Sequence, residues 1–310
     1  MAQITILTPC YNEEENILDL YNQIRSITSQ IKAHQFVHMF IDNASTDRTQ
    51  SLVRELCAKD PQVRAIFNTR NFGHIRSPVY GLLEAEGDAV ILMASDLQDP
   101  PELIAEYIRH WENGNKVVMA VKNDSEESAL FFFARKCFYN LIARISDIKL
   151  VKNFTGTGLY DRRVLDVIKG IDDPYPYFRG LIADLGFKTE VVHFKQPLRK
   201  RGFTKNNFYT LYDMAMLGII NHSRVPLRLA TLIGFLMSGL SLFLAFAYLI
   251  AKLFFWDIFP TGIAPLLIAV FFFSAIQLFF IGVIGEYIGT ILTQVQKRPL
   301  VIEKERLNFS

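Results

Sequence analysis

Through the first 120 residues, short runs of β-branched and aromatic side chains alternate with stretches whose apolar residues recur every three or four positions. Residues 4–7, 37–41, 63–67, 89–93 and 117–121 read as strands. Between the first two, Ile17, Leu20, Ile24, Ile27 and Ile31 fall at helical spacing behind Glu13, Glu14 and Glu15, an acidic start that suits a helix N-terminus. Strand–helix–strand repetition predicts an α/β domain with a largely parallel sheet covered on both faces. Sheets of that kind bind ligands beyond the carboxyl ends of their strands. Three polar segments should therefore meet there: 8–13 after the first strand, 42–47 after the second and 94–101 after the fourth.

The pattern changes near Arg224. From Pro226 to Gln296 the only formal charges are Arg228, Lys252, Asp257 and Glu286. Residues 229–251 and 258–285 carry none, and each run exceeds the roughly 20 residues a helix needs to cross the hydrocarbon of a bilayer. Two buried core helices are the alternative, but charge-free runs of this length are long for a soluble fold. Arg224 and Arg228 precede the first run, and Lys297 and Arg298 follow the second. The turn between them holds only Lys252 and Asp257, so both chain ends should face the cytosol. Trp256 suits an interfacial anchor.

The expected layout is a catalytic domain over 1–205, an amphipathic interfacial helix over 206–224, two transmembrane helices within 225–296 (about 229–251 and 263–285), and a cytosolic tail over 297–310. The interfacial helix rests on Phe208, Leu211, Tyr212, Ala215 and Ile219, whose spacing fits core packing equally well. The Phe-rich stretch from Leu130 through Phe138, Leu141 and Ile145 reads as a core helix, and 123–128 as a polar loop near the crevice. Gly234, Ser238 and Ser241 offer small surfaces through which a homo-oligomer could pack.

With 33 basic and 31 acidic residues the net charge is +2, which gives no global field for nucleic acid. Locally, no acid lies between Glu190 and Asp213, while Lys195, Arg199, Lys200, Arg201 and Lys205 do. Such a cluster beside a membrane suits a lipid phosphate, a diphosphate or anionic headgroups. Cys10, Cys57 and Cys137 lack metal or redox spacing and read as buried thiols in a reducing compartment. The six histidines form no ligand pattern, and His74 reads as a loop or structural residue. No Gly-x-Gly-x-x-Gly or Walker loop is present to hold phosphates.

Asp96 and Gln98 follow the fourth strand, and strand alternation puts them on one side, where a carboxylate and an amide oxygen could share a divalent ion with donor phosphates. Asp96 is thus the candidate catalytic and metal residue. Asp99, with Pro100 and Pro101, reads instead as the cap of a helix starting near Glu102.

In order along the chain stand Pro9-Cys10-Tyr11-Asn12-Glu13, the Asp42 to Thr49 segment, Arg70-Asn71-Phe72-Gly73, Asp96-Leu97-Gln98-Asp99-Pro100-Pro101-Glu102, Phe178-Arg179-Gly180-Leu181, and Gly285-Glu286-Tyr287-Ile288-Gly289 with Lys297-Arg298-Pro299. Together they resemble family 2 glycosyltransferases of the dolichol-phosphate mannose synthase type, and more closely the bacterial polyprenyl-phosphate (bactoprenol) glucosyltransferases with two C-terminal spans. The resemblance implies a GT-A fold, a Mg²⁺ or Mn²⁺ ion and single-step inverting transfer. It implies that Pro9, Tyr11, Asn12, Glu13, Asp42, Ser45 and Asn71 hold the nucleotide, and that Asp96 and Gln98 hold metal and diphosphate. Lys122, Arg199, Arg201 and Lys205 would meet phosphate. Two departures stand out: Ala94 replaces the first acid of the family's Asp-x-Asp, and Gly156 replaces the acid of its Gly-Asp-Phe-Arg-Leu segment.

The activity so implied is transfer of one hexose, glucose from UDP-glucose, to polyprenyl (undecaprenyl) phosphate at the cytosolic face of the inner or plasma membrane. GDP-mannose is the alternative donor. A catalytically silent nucleotide-sugar-binding scaffold is the alternative of another class, motivated by Ala94 and Gly156. A processive polysaccharide synthase is disfavoured because the sequence has no Gln-x-x-Arg-Trp segment.

Overall fold

The computed structural model describes residues 1–122, 151, 154–195, 197, 225–254 and 263–309. The expected alternation is observed. β1 (Gln3–Cys10), α1 (Ile17–Thr28), β2 (Gln35–Asp42), α2 (Thr49–Lys59), β3 (Val63–Asn68), α3 (Gly73–Glu84), β4 (Ala89–Leu92), α4 (Leu103–Glu112) and β5 (Val117–Lys122) follow in turn. Then come β6 (Phe154–Asp161), α5 (Arg162–Ile171), α6 (Phe178–Asp184), β7 (Thr189–Phe194), α7 (Val225–Phe254), α8 (Ile263–Gln296) and β8 (Glu303–Leu307).

All eight strands form one sheet in the order β7-β5-β6-β4-β1-β2-β3-β8. β4, β1, β2 and β3 are parallel, so their carboxyl ends share one edge. β6 is inserted antiparallel between β4 and β5, and β8 closes the far edge antiparallel to β3. Parallel strands are sandwiched by crossover helices, which is why β1 and β2 are buried on both faces. On one face Leu20 and Ile24 of α1 and Ile104, Tyr107 and Ile108 of α4 cover Ile4, Ile6 and Ile91. On the other, Leu82 of α3, Val164, Leu165 and Ile168 of α5 and Ile182 of α6 cover Leu7, Met39 and Ile41. Leu52, Val53 and Leu56 of α2 pack with Ile17 over Phe40, Val63 and Phe67.

Two details position the inserted strand. Gly158 sits at φ +143°, and a Cβ there would lie 2.0 Å from the Val118 carbonyl oxygen, so only glycine lets β5 and β6 approach. Asp161 then caps α5 through the Arg163 amide and binds the Lys116 ammonium at 2.7 Å, which holds its carboxyl below the usual range against the opposing effect of burial.

α7 and α8 touch one another and carry large apolar side chains on their exposed surfaces, among them Phe235 at 74% and Phe254 at 78% exposure. Among the described residues, the stretch Phe272–Gln296 of α8 is long and apolar enough to cross a membrane, and Val225–Ser241 is a shorter apolar stretch of α7. α8 continues to Gln296, past residue 285, because no proline interrupts it; it stops where Lys297 turns to φ +44° and Pro299 follows. The last residues, expected as a tail, include β8. Arg306 pairs with Glu84 and Glu303, Arg54 with Glu305, and Asn308 Nδ2 donates to the Cys57 and Val63 carbonyls. The expected 206–224 helix, the 123–128 loop, the Phe-rich stretch, Cys137 and Trp256 lie outside the described residues.

Candidate active site

The carboxyl ends of β4, β1 and β2 stand side by side, so the three polar segments meet at one edge of the sheet. The first two are laced together. The Asn12 amide donates to Ser45 Oγ at 2.9 Å, and Asn12 Oδ1 accepts from the Thr46 amide at 2.8 Å. The Glu13 amide donates to Thr49 Oγ1 at 2.8 Å, and Glu14 Oε2 accepts from the Arg48 amide at 2.9 Å. These bonds require left-handed backbone at Asn12 (φ 55°) and Ala44 (φ 62°); the third segment has the same feature at Leu97 (φ 57°). Three of the six non-glycine residues with positive φ among the described residues thus fall in these three loops.

Pro9, Tyr11, Asn12, Glu13 and Ser45 line this junction, with Pro9, Tyr11, Asn12 and Glu13 partly exposed. Asp42 behaves differently. It is fully buried, and its Oδ1 accepts from the Ser45 amide at 3.0 Å and from Gln50 Nε2 at 2.8 Å. Burial pushes its carboxyl up while Ser45 and Gln50 pull it back. In this arrangement Asp42 ties the 43–47 loop and the start of α2 to the end of β2. Asn71 is exposed and joined to the same junction through Asn43 at 2.8 Å.

On the other side of β1, Asp96 Oδ1 accepts from the Gln98 amide at 3.2 Å, and both residues are partly exposed. Asp99 does not cap α4, whose start at Leu103 has no side-chain cap. It is buried instead, accepting from the Ala94 amide and the Thr157 hydroxyl, near Lys122. Burial and the neighbouring Asp96 push its carboxyl up to about 6, against the pull of Lys122. The helix-cap reading of Asp99 is therefore overturned: β6 rises beside β4 and supplies a polar partner that proline-flanked sequence does not announce. Ala94, where the family places an acid, contributes its backbone amide to this contact.

Among the described residues no three His, Cys, Asp or Glu side chains gather to cage an ion. Asp96 and Gln98 offer an open, oxygen-only pair instead. That donor set fits Mg²⁺ or Mn²⁺, hard cations that take their remaining ligands from substrate phosphates and water. Lys122, partly exposed at the end of β5, adds a cation on the β6 side. Arg199, Arg201 and Lys205 lie outside the described residues. His74 stands in the first turn of α3, its imidazole pushed below its usual range by burial and by Arg179. Cys10 and Cys57 are buried thiols, pushed up by burial.

The family model described as glycosyl transferase family 2 matches residues 5–168, which contain the crevice segments and β6. The uncharacterized glycosyltransferase YkcC of Bacillus subtilis (strain 168) is 37% identical over 303 residues, 97% of this chain and 93% of its own. The SfII prophage-derived bactoprenol glucosyl transferase of Shigella flexneri is 34% identical over 304 residues, 98% of each chain. The prophage bactoprenol glucosyl transferase homolog of Escherichia coli (strain K12) is 34% identical over 303 residues, 97% of this chain and 98% of its own. The matched segment, the near full-length relatives and the crevice at the edge of a mostly parallel mixed sheet lead to one conclusion: the chain belongs to glycosyl transferase family 2 and is a glycosyltransferase of the GT-A fold.

Proposed function

We propose that the protein transfers one glucose from UDP-glucose to polyprenyl (undecaprenyl) phosphate at the cytosolic membrane face, with inversion at the anomeric carbon. The observation that carries this reading is the likeness to bactoprenol glucosyl transferases over 98% of the chain, which includes α7 and α8 as well as the crevice. A catalytic domain alone would match only in its first two thirds.

In this reading α7 and α8 form a transmembrane hairpin. β8 follows α8 and pairs with β3 of the domain that precedes α7, so the chain must leave and return on the same side. That supports an even number of crossings between residues 225 and 296. Exposed Phe and Leu side chains along both helices supply the surface that lipid would cover. The 206–224 segment would lie at the interface beside them.

The nucleotide would rest on Pro9, Tyr11, Asn12, Glu13, Ser45 and Asn71, with Asp42 anchoring their loop. Asp96 and Gln98 would hold a Mg²⁺ or Mn²⁺ ion with the diphosphate, and the ion when bound would offset charge developing on the leaving group. Lys122, and Arg199, Arg201 and Lys205 from the basic segment, would place donor and acceptor phosphates. An acceptor phosphate monoester has a second pKa of about 6 and is largely dianionic at neutral pH, so its oxygen attacks without a protein base. The bond from that oxygen to the anomeric carbon forms as the bond from the anomeric carbon to the UDP oxygen breaks, and no proton moves. The chain's task is therefore alignment and charge, which is why the absent acids at 94 and 156 do not prevent it.

The test is to incubate the purified protein with polyprenyl phosphate and, separately, UDP-glucose or GDP-mannose, and to analyse the lipid. Glucosylated lipid is expected with the uridine donor alone. Mannosylated lipid would reassign the donor, and no product with either would favour the scaffold.

A further inference from the structure

Asn43 belongs to none of the residues that the proposed reading places against substrate, yet its side chain makes four hydrogen bonds at the crevice. It is 7% exposed, and its amide uses its full capacity: Nδ2 donates to Asn71 Oδ1 at 2.8 Å and to the Gly73 carbonyl at 3.2 Å. Its Oδ1 accepts from the Phe72 amide at 2.8 Å and from Asn68 Nδ2 at 3.0 Å. The backbone N–H of Phe72 and the C=O of Gly73 can act in only one sense, so they fix which way this amide points. The Asn43 backbone N–H donates to the Cys10 carbonyl at 2.9 Å, tying the assembly to the tip of β1.

The consequence falls on Asn71. Its Oδ1 accepts from Asn43 and, at 2.8 Å, from the Gly73 amide. Its carbonyl end is therefore turned inward, and its Nδ2, on an exposed residue, is turned outward with no partner among the described residues. Were Asn71 to flip, its NH₂ would face two donors. We infer that Asn43 is a positioning residue: it locks the Asn71 amide so that its NH₂ presents a hydrogen bond to an acceptor oxygen of the bound nucleoside diphosphate. This rests on the reading of the crevice as the donor site.

The experiment is a double-mutant cycle on nucleotide affinity. Wild-type protein is titrated by calorimetry with UDP and with GDP in the presence of Mn²⁺, and the tighter binder serves as the probe. A mistaken choice of base then changes the probe and leaves this test standing. Asn43→Asp retains the acceptors for Asn68 and Phe72 but cannot donate to Asn71, and it should weaken the probe about tenfold, as lost hydrogen bonds to a charged ligand do. Asn71→Ala should weaken it comparably, and the double variant should bind no worse than Asn71→Ala alone. Asn71→Asp, which leaves Asn43 untouched and keeps an oxygen for Asn43 and Gly73, should weaken binding at an unchanged melting temperature. In turnover, Asn43→Asp should raise the donor KM and leave the lipid KM in place. Additive losses in the double variant, or wild-type affinity in Asn71→Asp, would overturn the inference.

Discussion

Asp99 and His38 show how a single side chain takes its behaviour from what the fold packs against it. In sequence Asp99 stands before two prolines like a helix cap, and only the arrival of β6 makes it a buried partner of Ala94 and Thr157. Asp96 and Gln98 were legible as candidates from the needs of a diphosphate leaving group, whereas strand alternation does not place them, because β4 ends at Leu92 and Leu97 takes φ 57°. Asn43 was not, because an amide inside a polar motif looks the same whether it faces ligand or loop. His38 is buried between Tyr21 and Phe40, its Nε2 on the Thr8 hydroxyl at 3.0 Å and its Nδ1 without a hydrogen-bond partner among the described residues. Burial pushes its imidazole down to about 3 from 6.5, helped by Arg25 and opposed by Asp60. The unfolded chain takes up a proton below about pH 6.5 that the folded chain refuses until about pH 3, so the unfolded state binds more protons across that window. Stability therefore falls on acidification through it, by on the order of 2 kcal/mol from pH 6.5 to about pH 5. His38→Gln should flatten this dependence; denaturant titrations at the two pH values will show whether the slope of the parent exceeds that of the variant.

At the scale of elements, the five strands of the first 120 residues announced themselves because each is a short run rich in β-branched, aromatic and other apolar side chains, mostly buried on both faces. β6 did not, since Gly156 and Gly158 break the apolar run that would mark a central strand. Its antiparallel insertion is what brings Thr157 to the tip of β4. Gly158→Ala would drive a methyl into the Val118 carbonyl and force φ +143° on an L-residue. The expected cost is about 3 kcal/mol or more, in the range of severe core substitutions. Thermal melting in detergent measures it; a melting temperature equal to that of the parent would mean that β5 and β6 are not packed as described. β8 was equally silent, because Glu303, Lys304, Glu305 and Arg306 read as a solvated tail, whereas charges suit an edge strand that must not pair further.

For the whole molecule, the charge-free runs foretold two long helices, while the return of the chain to the sheet could not be seen without β8. That return ties the end of α8 to α3: Arg76 donates to the Pro299 carbonyl, Tyr80 Oη to Glu303, and Glu84 accepts from Arg306. α3 begins at the Asn71 loop, so the segment that follows α8 and the candidate crevice share one element. Removing residues 301–310 should lower the melting temperature and raise the donor KM, because the edge of β3 loses its partner strand. In sealed vesicles, single cysteines at residues 2 and 309, placed in a background without native cysteines, should react with a membrane-impermeant thiol reagent from the same side. Labelling from opposite sides would exclude the hairpin.

In the proposed reaction a soluble nucleotide sugar and a bilayer-bound phosphate meet at one crevice organised around Asp96. The most direct measurement is single-turnover transfer of radiolabelled glucose from UDP-glucose to polyprenyl phosphate in proteoliposomes, with Mn²⁺, for the parent and for Asp96→Ala. Labelled lipid from the parent, lost on adding chelator and reduced at least about a hundredfold in Asp96→Ala, is the predicted result. Equal transfer by the two proteins, or transfer indifferent to chelator, would contradict it.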